Sequence, residues 1–159
     1  MRLKEIKLKD HSFIHTLTNN PMVYRYIRNG RPWDDQKITR FINKCIDDQQ
    51  KTFQERKNFN YIIQEKNKDS IGVVGVSYKN KKYSLTVFIL PKYQGQGYFS
   101  RSLNLLLRRL RRYKPDLEYI YAQAHTNNKK MNQILSNKFE YKRRYNIGKI
   151  SVNEFKIYI

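Results

Sequence analysis

The sequence holds one cysteine, Cys45, among 159 residues. A lone thiol excludes an internal disulfide framework and a multi-cysteine zinc cage. Proline and glycine are scarce, at four and six residues, and no low-complexity linker or internal repeat breaks the chain. Long hydrophobic runs are missing too. The longest uncharged apolar stretches, residues 71–76 and 85–90, span six residues each, whereas a membrane span needs about 20. Residues 1–8 lack the apolar segment of a secretory signal. Carboxylates are few: 13 Asp and Glu face 33 Lys and Arg, giving a formal charge of +20.

These absences point to an intracellular, cytoplasmic protein with no membrane partner and no metal site. The length suits one domain over residues 1–159, since domains usually run to about 100–200 residues. The excess charge is +9 over residues 1–90 and +11 over residues 91–159, so it is spread through the fold and is not a detachable basic tail. Such a field draws polyanions and concentrates anionic ligands.

Hydrophobic spacing gives eleven elements. Residues 2–8 alternate as a first strand. A short helix carries Phe13, Ile14 and Leu17, stopped by Asn19-Asn20-Pro21. A longer one opens at Trp33-Asp34-Asp35, with Ile38, Phe41, Ile42, Cys45 and Ile46 on one face; Cys45 belongs to that core stripe. Strands follow at 58–64, 70–78 and 83–90, joined by short polar links. Residues 100–113 form the strongest helix, burying Leu103, Leu106, Leu107 and Leu110. A strand at 118–124, a helix at 128–137 and a hairpin of 139–147 with 152–159 complete the chain. The order β, α, α, β, β, β, α, β, α, β, β implies a mixed α/β sheet with helices on both faces.

Between the strand ending at Leu90 and the helix lies Pro91-Lys92-Tyr93-Gln94-Gly95-Gln96-Gly97. Glycines allow close approach of backbone to a ligand, and the first turn of a helix offers unpaired N–H groups at its positive end. Phosphate oxygens suit that arrangement. The loop is not a Walker sequence, and it lacks the third glycine of a Rossmann fingerprint.

The Gln94-Gly95-Gln96-Gly97-Tyr98-Phe99 stretch, set in this element order, resembles the GCN5-related N-acetyltransferase (GNAT) superfamily, and within it the branch acting on ribosomal proteins and protein N-termini. Gln94 and Gly97 match the first and fourth positions of its Gln/Arg-x-x-Gly-x-Gly/Ala signature, and Asn128 matches an Asn that follows the fifth strand. The resemblance covers nearly the whole chain. It implies a single, mostly antiparallel sheet of about seven strands, splayed between the fourth and fifth. It implies acetyl-CoA as cofactor, its pyrophosphate on the amides of Gln96, Gly97, Tyr98, Phe99 and Ser100 beside Gln94, Gly95 and Asn128. The pantetheine arm would pair with Val87, Phe88 and Ile89. The implied reaction is acetyl transfer to an amine-bearing acceptor: a protein N-terminus, a lysine or a small amine.

The sequence departs from that pattern. Phe99 stands where the family has Gly or Ala. The acidic base of many members aligns near Ser84, with Thr86 close by. Leu135 and Met131 fall where the family carries a Tyr or Ser acid. His125, following a strand, has a side chain whose ordinary pKa suits proton relay, so His125 and Ser84 are the candidate catalytic residues. Tyr83, Tyr98, Tyr119 and Tyr121 read as core or rim aromatics. Arg101, Arg108, Arg109, Arg111 and Arg112 form a basic helix face suited to polyanions. An alternative reading follows from it: a catalytically degenerate GNAT fold that binds nucleic acid, a ribosome, a nucleoprotein or a virion component through this face.

Overall fold

A computed structural model describes residues 1–27 and 29–159. Seven strands form one sheet in the order β1-β2-β3-β4-β5-β7-β6. They are β1 (Arg2–Glu5), β2 (Asn58–Gln64), β3 (Ser70–Lys79), β4 (Lys82–Ile89), β5 (Tyr119–His125), β6 (Glu140–Ile147) and β7 (Ile150–Tyr158). Among the described residues only the β4–β5 contact is parallel. The helices are α1 (His11–Thr18), α2 (Pro21–Tyr24), α3 (Asp35–Gln49), α4 (Tyr98–Tyr113) and α5 (Lys129–Ser136). The expected α/β class and element order hold, with two differences. The first strand ends at Glu5, because the chain turns into a 3-10 segment at Leu8–Asp10. Helix α1 stops at Asn19 as expected, but Pro21 then opens a further single turn, α2, whose Met22 amide donates to the Asn20 side chain.

The sheet divides two cores. On one face, Leu103, Leu106, Leu107 and Leu110 of α4 and Leu135 of α5 pack on Ile63, Val74, Val76, Ile120 and Phe155. On the other, Ile14, Leu17, Ile38, Ile42 and Cys45 pack on Ile6, Ile62 and Val73. Each fully buried Leu or Ile contributes about 1.5–3 kcal/mol, so these stripes hold the helices in place. Asp34 starts α3, its carboxylate accepting from the Lys37 amide at 2.7 Å. Trp33 and Ile38 stand at the flanking apolar positions that fix the entry of a helix.

The two halves of the sheet meet weakly. Strands β4 and β5 pair at one position, Ser84 with Tyr121. Beyond it they diverge toward their carboxyl ends, so the expected splay is present. Beside the bridge a buried carboxylate ties the halves together. Glu154 of β7, 2% exposed, is paired with Lys82 of β4 and accepts from Arg143 Nε at 3.1 Å and Gln123 Nε2 at 3.0 Å.

Candidate active site

A cavity of about 1100 Å3 opens where β4 and β5 part. Its lining draws on both layers. Val87 and Ile89 of β4, Ala122 and Ala124 of β5, residues 93–95 and 97–100 of the loop, Asn128, and Met131 and Leu135 of α5 form one side, whereas Gln96 lies outside the lining. Arg25, Tyr26, Trp33 and Lys37 from the α2–α3 region, with Ile147, Ile150 and Val152, form the other.

The loop is a ring of donors. Gly95 and Gly97 have φ of +80° and +78°, left-handed values that cost any residue bearing a Cβ about 1–2 kcal/mol. The Gln94 amide donates to Pro91 at 3.1 Å, and the Arg101 amide opens the helical series on Gly97 at 3.1 Å. Between them, no amide from Gly95 to Ser100 has an acceptor among the described residues. Helix α4 starts at Tyr98, two residues earlier than its spacing suggested. Side chains brace this shape: Gln96 Nε2 donates to the Lys92 carbonyl at 2.7 Å and Tyr98 Oη to Glu65 at 2.8 Å.

Phe99 does not crowd the loop. Its ring is 9% exposed and joins the α4 core, leaving its amide unpaired. Two lysines that the sequence reading did not single out supply charge. Lys130 Nζ lies near Gly95, and Lys138 Nζ donates to Ser100 Oγ at 2.6 Å. Their spacing carries no motif; only the return of α5 beside the loop brings them there.

The β4 edge meets the expectation in part. Leu90 donates to Ile71 at 3.0 Å, and the register pairs Phe88 with Val73. Alternation of an antiparallel ladder then turns the amide and carbonyl of Phe88 toward β3. Those of Val87 and Ile89 face the gap, where Gln94 Nε2 donates to the Ile89 carbonyl at 2.9 Å. Phe88 contributes its ring instead, edge-on to Trp33 at 5.8 Å.

The other predicted residues separate. His125 lines the cavity at the end of β5, its Nδ1 buried without a partner and its ring 6.2 Å from Tyr26. Asn132 Nδ2 holds the His125 carbonyl at 2.8 Å, and Asn153 in turn holds Asn132 at 2.7 Å. Asn127 and Asn128 line the cavity, and the Asn128 side chain caps α5 on the Met131 amide at 3.2 Å. Ser84 is not brought to the site: it stands at the β4–β5 bridge, outside the lining, whereas Thr86 is inside. Arg109 also departs from its expected role. It donates to the Leu3 carbonyl at 2.8 Å and lies 4.4 Å over the Tyr61 ring, so it clamps β1 rather than facing solvent. Arg101 packs on Tyr98 at 4.3 Å. Arg108, Arg111 and Arg112 remain exposed.

The lining residues of the α2–α3 region were harder to foresee. Tyr26 and Arg25 follow a one-turn helix whose spacing is too short for a periodic signal. Among the described residues no cluster of His, Cys, Asp and Glu could hold a metal ion, and no helix is long and apolar enough to cross a membrane.

Comparison with known proteins gives this geometry a family. The model of the acetyltransferase (GNAT) domain matches residues 1–137. Among solved structures, a spermidine N-acetyltransferase from Vibrio cholerae in complex with CoA and spermine superposes with a TM-score of 0.75 at 22% identity, covering 99% of this chain and 94% of that one. A GNAT-family acetyltransferase from Bacillus anthracis superposes with a TM-score of 0.76 at 19% identity, covering 98% and 93%. No curated protein sequence matches. The splayed sheet, the donor loop and the matched family model agree, and the chain belongs to the GNAT acetyltransferases, whose cofactor is acetyl-CoA.

Proposed function

We propose that the protein transfers an acetyl group from acetyl-CoA to a primary amine within the β4–β5 cavity. The observation that carries this reading is the run of unpaired amides from Gly95 to Ser100 at the mouth of that cavity. Backbone N–H groups at a helix N-terminus suit a diphosphate, and Lys130 and Lys138 add positive charge beside them. The outward amides of Val87 and Ile89 and the Val87 carbonyl suit the amide-bearing arm, as an added strand would. Bound acetyl-CoA supplies a thioester carbonyl carbon open to amine attack.

The chain's own residues then have three tasks. The cavity walls hold amine and thioester together, which accounts for most of the acceleration in such transfers. His125 takes a proton from the acceptor ammonium, its backbone carbonyl anchored by the Asn132–Asn153 chain. Met131 and Leu135 offer no hydroxyl to the leaving thiolate, so its proton comes from solvent or from the Tyr26 phenol in the cavity.

The test is a coupled assay: thiol release from acetyl-CoA with an amine panel, and mass spectrometry of the acetylated product. Amine-dependent thiol release is expected. Release without acetylated amine, or none with any amine, contradicts the reading. Polyamines belong in the panel, since structural relatives include spermidine N-acetyltransferases.

A further inference from the structure

The acceptor side of the cavity has a charge pattern that selects among amines; this inference rests on the acetyl-transfer reading. Among the described residues lining the cavity there is no Asp or Glu. The charged lining residues are Arg25, Lys37, Lys129, Lys130 and Lys138. The last three flank the donor loop or α5. Arg25 and Lys37 stand on the opposite side, Arg25 4.7 Å over the Tyr26 ring and Lys37 4.9 Å over the Trp33 ring. The nearby carboxylates are engaged elsewhere: Asp34 caps α3, Asp35 faces His11 at 3.7 Å, and Glu154 is buried between Lys82 and Arg143.

We propose that the acceptor is an α-amine with a carboxylate close to it, an acidic amino acid or the N-terminus of an acidic peptide, and not a polyamine. A polyamine entering this cavity gives up hydration without meeting a single compensating carboxylate, and the +20 chain repels it on approach. A carboxylate is instead the group to which Arg25 donates, in the positive field to which Lys37 adds. The indole N–H of Trp33, in the same lining, is buried with no acceptor among the described residues. Amine chemistry points the same way. With little acid–base machinery in the lining, an acceptor already partly neutral is favoured. The N-terminal α-amine of a peptide is roughly one-tenth neutral at pH 7, whereas a lysine amine is neutral in roughly one molecule in a few thousand. Cationic walls lower the ammonium pKa further.

The experiment compares kcat/KM for glutamate, a hexapeptide beginning Ser-Asp-Asp, the same peptide beginning Ser-Lys-Lys, and spermidine, at low salt. Acetyl-CoA binding is measured separately by calorimetry. Expected is at least tenfold preference for one or both anionic acceptors, with glutamate and the acidic peptide separating the free and peptide forms. The pair R25E and K37E should reverse the order through KM, with kcat little changed and acetyl-CoA affinity retained; R25Q alone, an exposed change of one charge unit against four, should give about a quarter of the logarithmic effect. Spermidine or the lysine peptide used equally well or better, or no turnover of either anionic acceptor, overturns the proposal while intact acetyl-CoA binding leaves the broader reading standing. Loss of acetyl-CoA binding by the unaltered protein overturns both.

Discussion

Two side chains, His125 and Phe99, bear on the site, and a third, Cys45, on the core. His125 combines a position at the open end of β5 with an unpartnered ring nitrogen. Replacing it with Ala is expected to lower kcat by about 100-fold, the lower range for lost proton transfer, while calorimetry finds acetyl-CoA affinity unchanged. An equal loss of affinity would assign His125 to binding. Phe99 was legible as a departure from the signature, but its consequence was not, because direction of a side chain depends on the helix phase. The earlier start of α4 turns that ring into the leucine core. Cys45 was legible outright, since Ile42, Phe41 and Ile38, three, four and seven residues before it on the same helix face, are apolar. Burial pushes its thiol up to about 12, so a thiol reagent should leave it unmodified in the native protein and label it only on unfolding. Rapid native labelling would contradict its place in the core.

At the scale of elements, strands and long helices were readable because periods of 2 and 3.6 repeat within them. The loop was readable because two glycines follow a strand. What stayed hidden was whatever needs partners far along the chain. Arg109 looked like one more cation on a helix face; only the arrival of β1 gives it the Leu3 carbonyl. Glu154 drew no notice, because Lys82, Gln123 and Arg143 come from three other strands. Burial pushes its carboxyl up, but hydrogen bonds from Lys82, Gln123 and Arg143 outweigh this and hold it below the usual range. A depressed folded value means that its stabilisation is complete above the ordinary carboxylate pKa and is lost as pH falls through the folded one. Glu154→Gln should therefore destabilise at pH 7 by up to about 3 kcal/mol, since a buried charge pair loses one partner. It should also flatten the decline in melting temperature between about pH 5 and pH 3. An unchanged acid profile would show that this tie across the splay carries no charge-dependent stability.

For the whole molecule, charge and cavity are separable. Arg108, Arg111 and Arg112 are exposed on α4, outside the cavity lining. Changing all three to Gln should leave acetyl-CoA affinity within about twofold in 0.15 M salt, where exposed charges beyond roughly 8 Å are screened. A larger loss would mean that the general field, rather than the loop, holds the cofactor. The measurement closest to the central claim is calorimetric titration of acetyl-CoA into the protein and into its Gly97→Val variant, at low and moderate salt, with melting curves on both. Saturable one-to-one binding that persists at moderate salt is expected, and it should be abolished in a folded Gly97→Val protein because the left-handed turn that aims the amides is lost. Binding of equal strength in the variant, or binding that vanishes with salt as for any polyanion, would contradict the account.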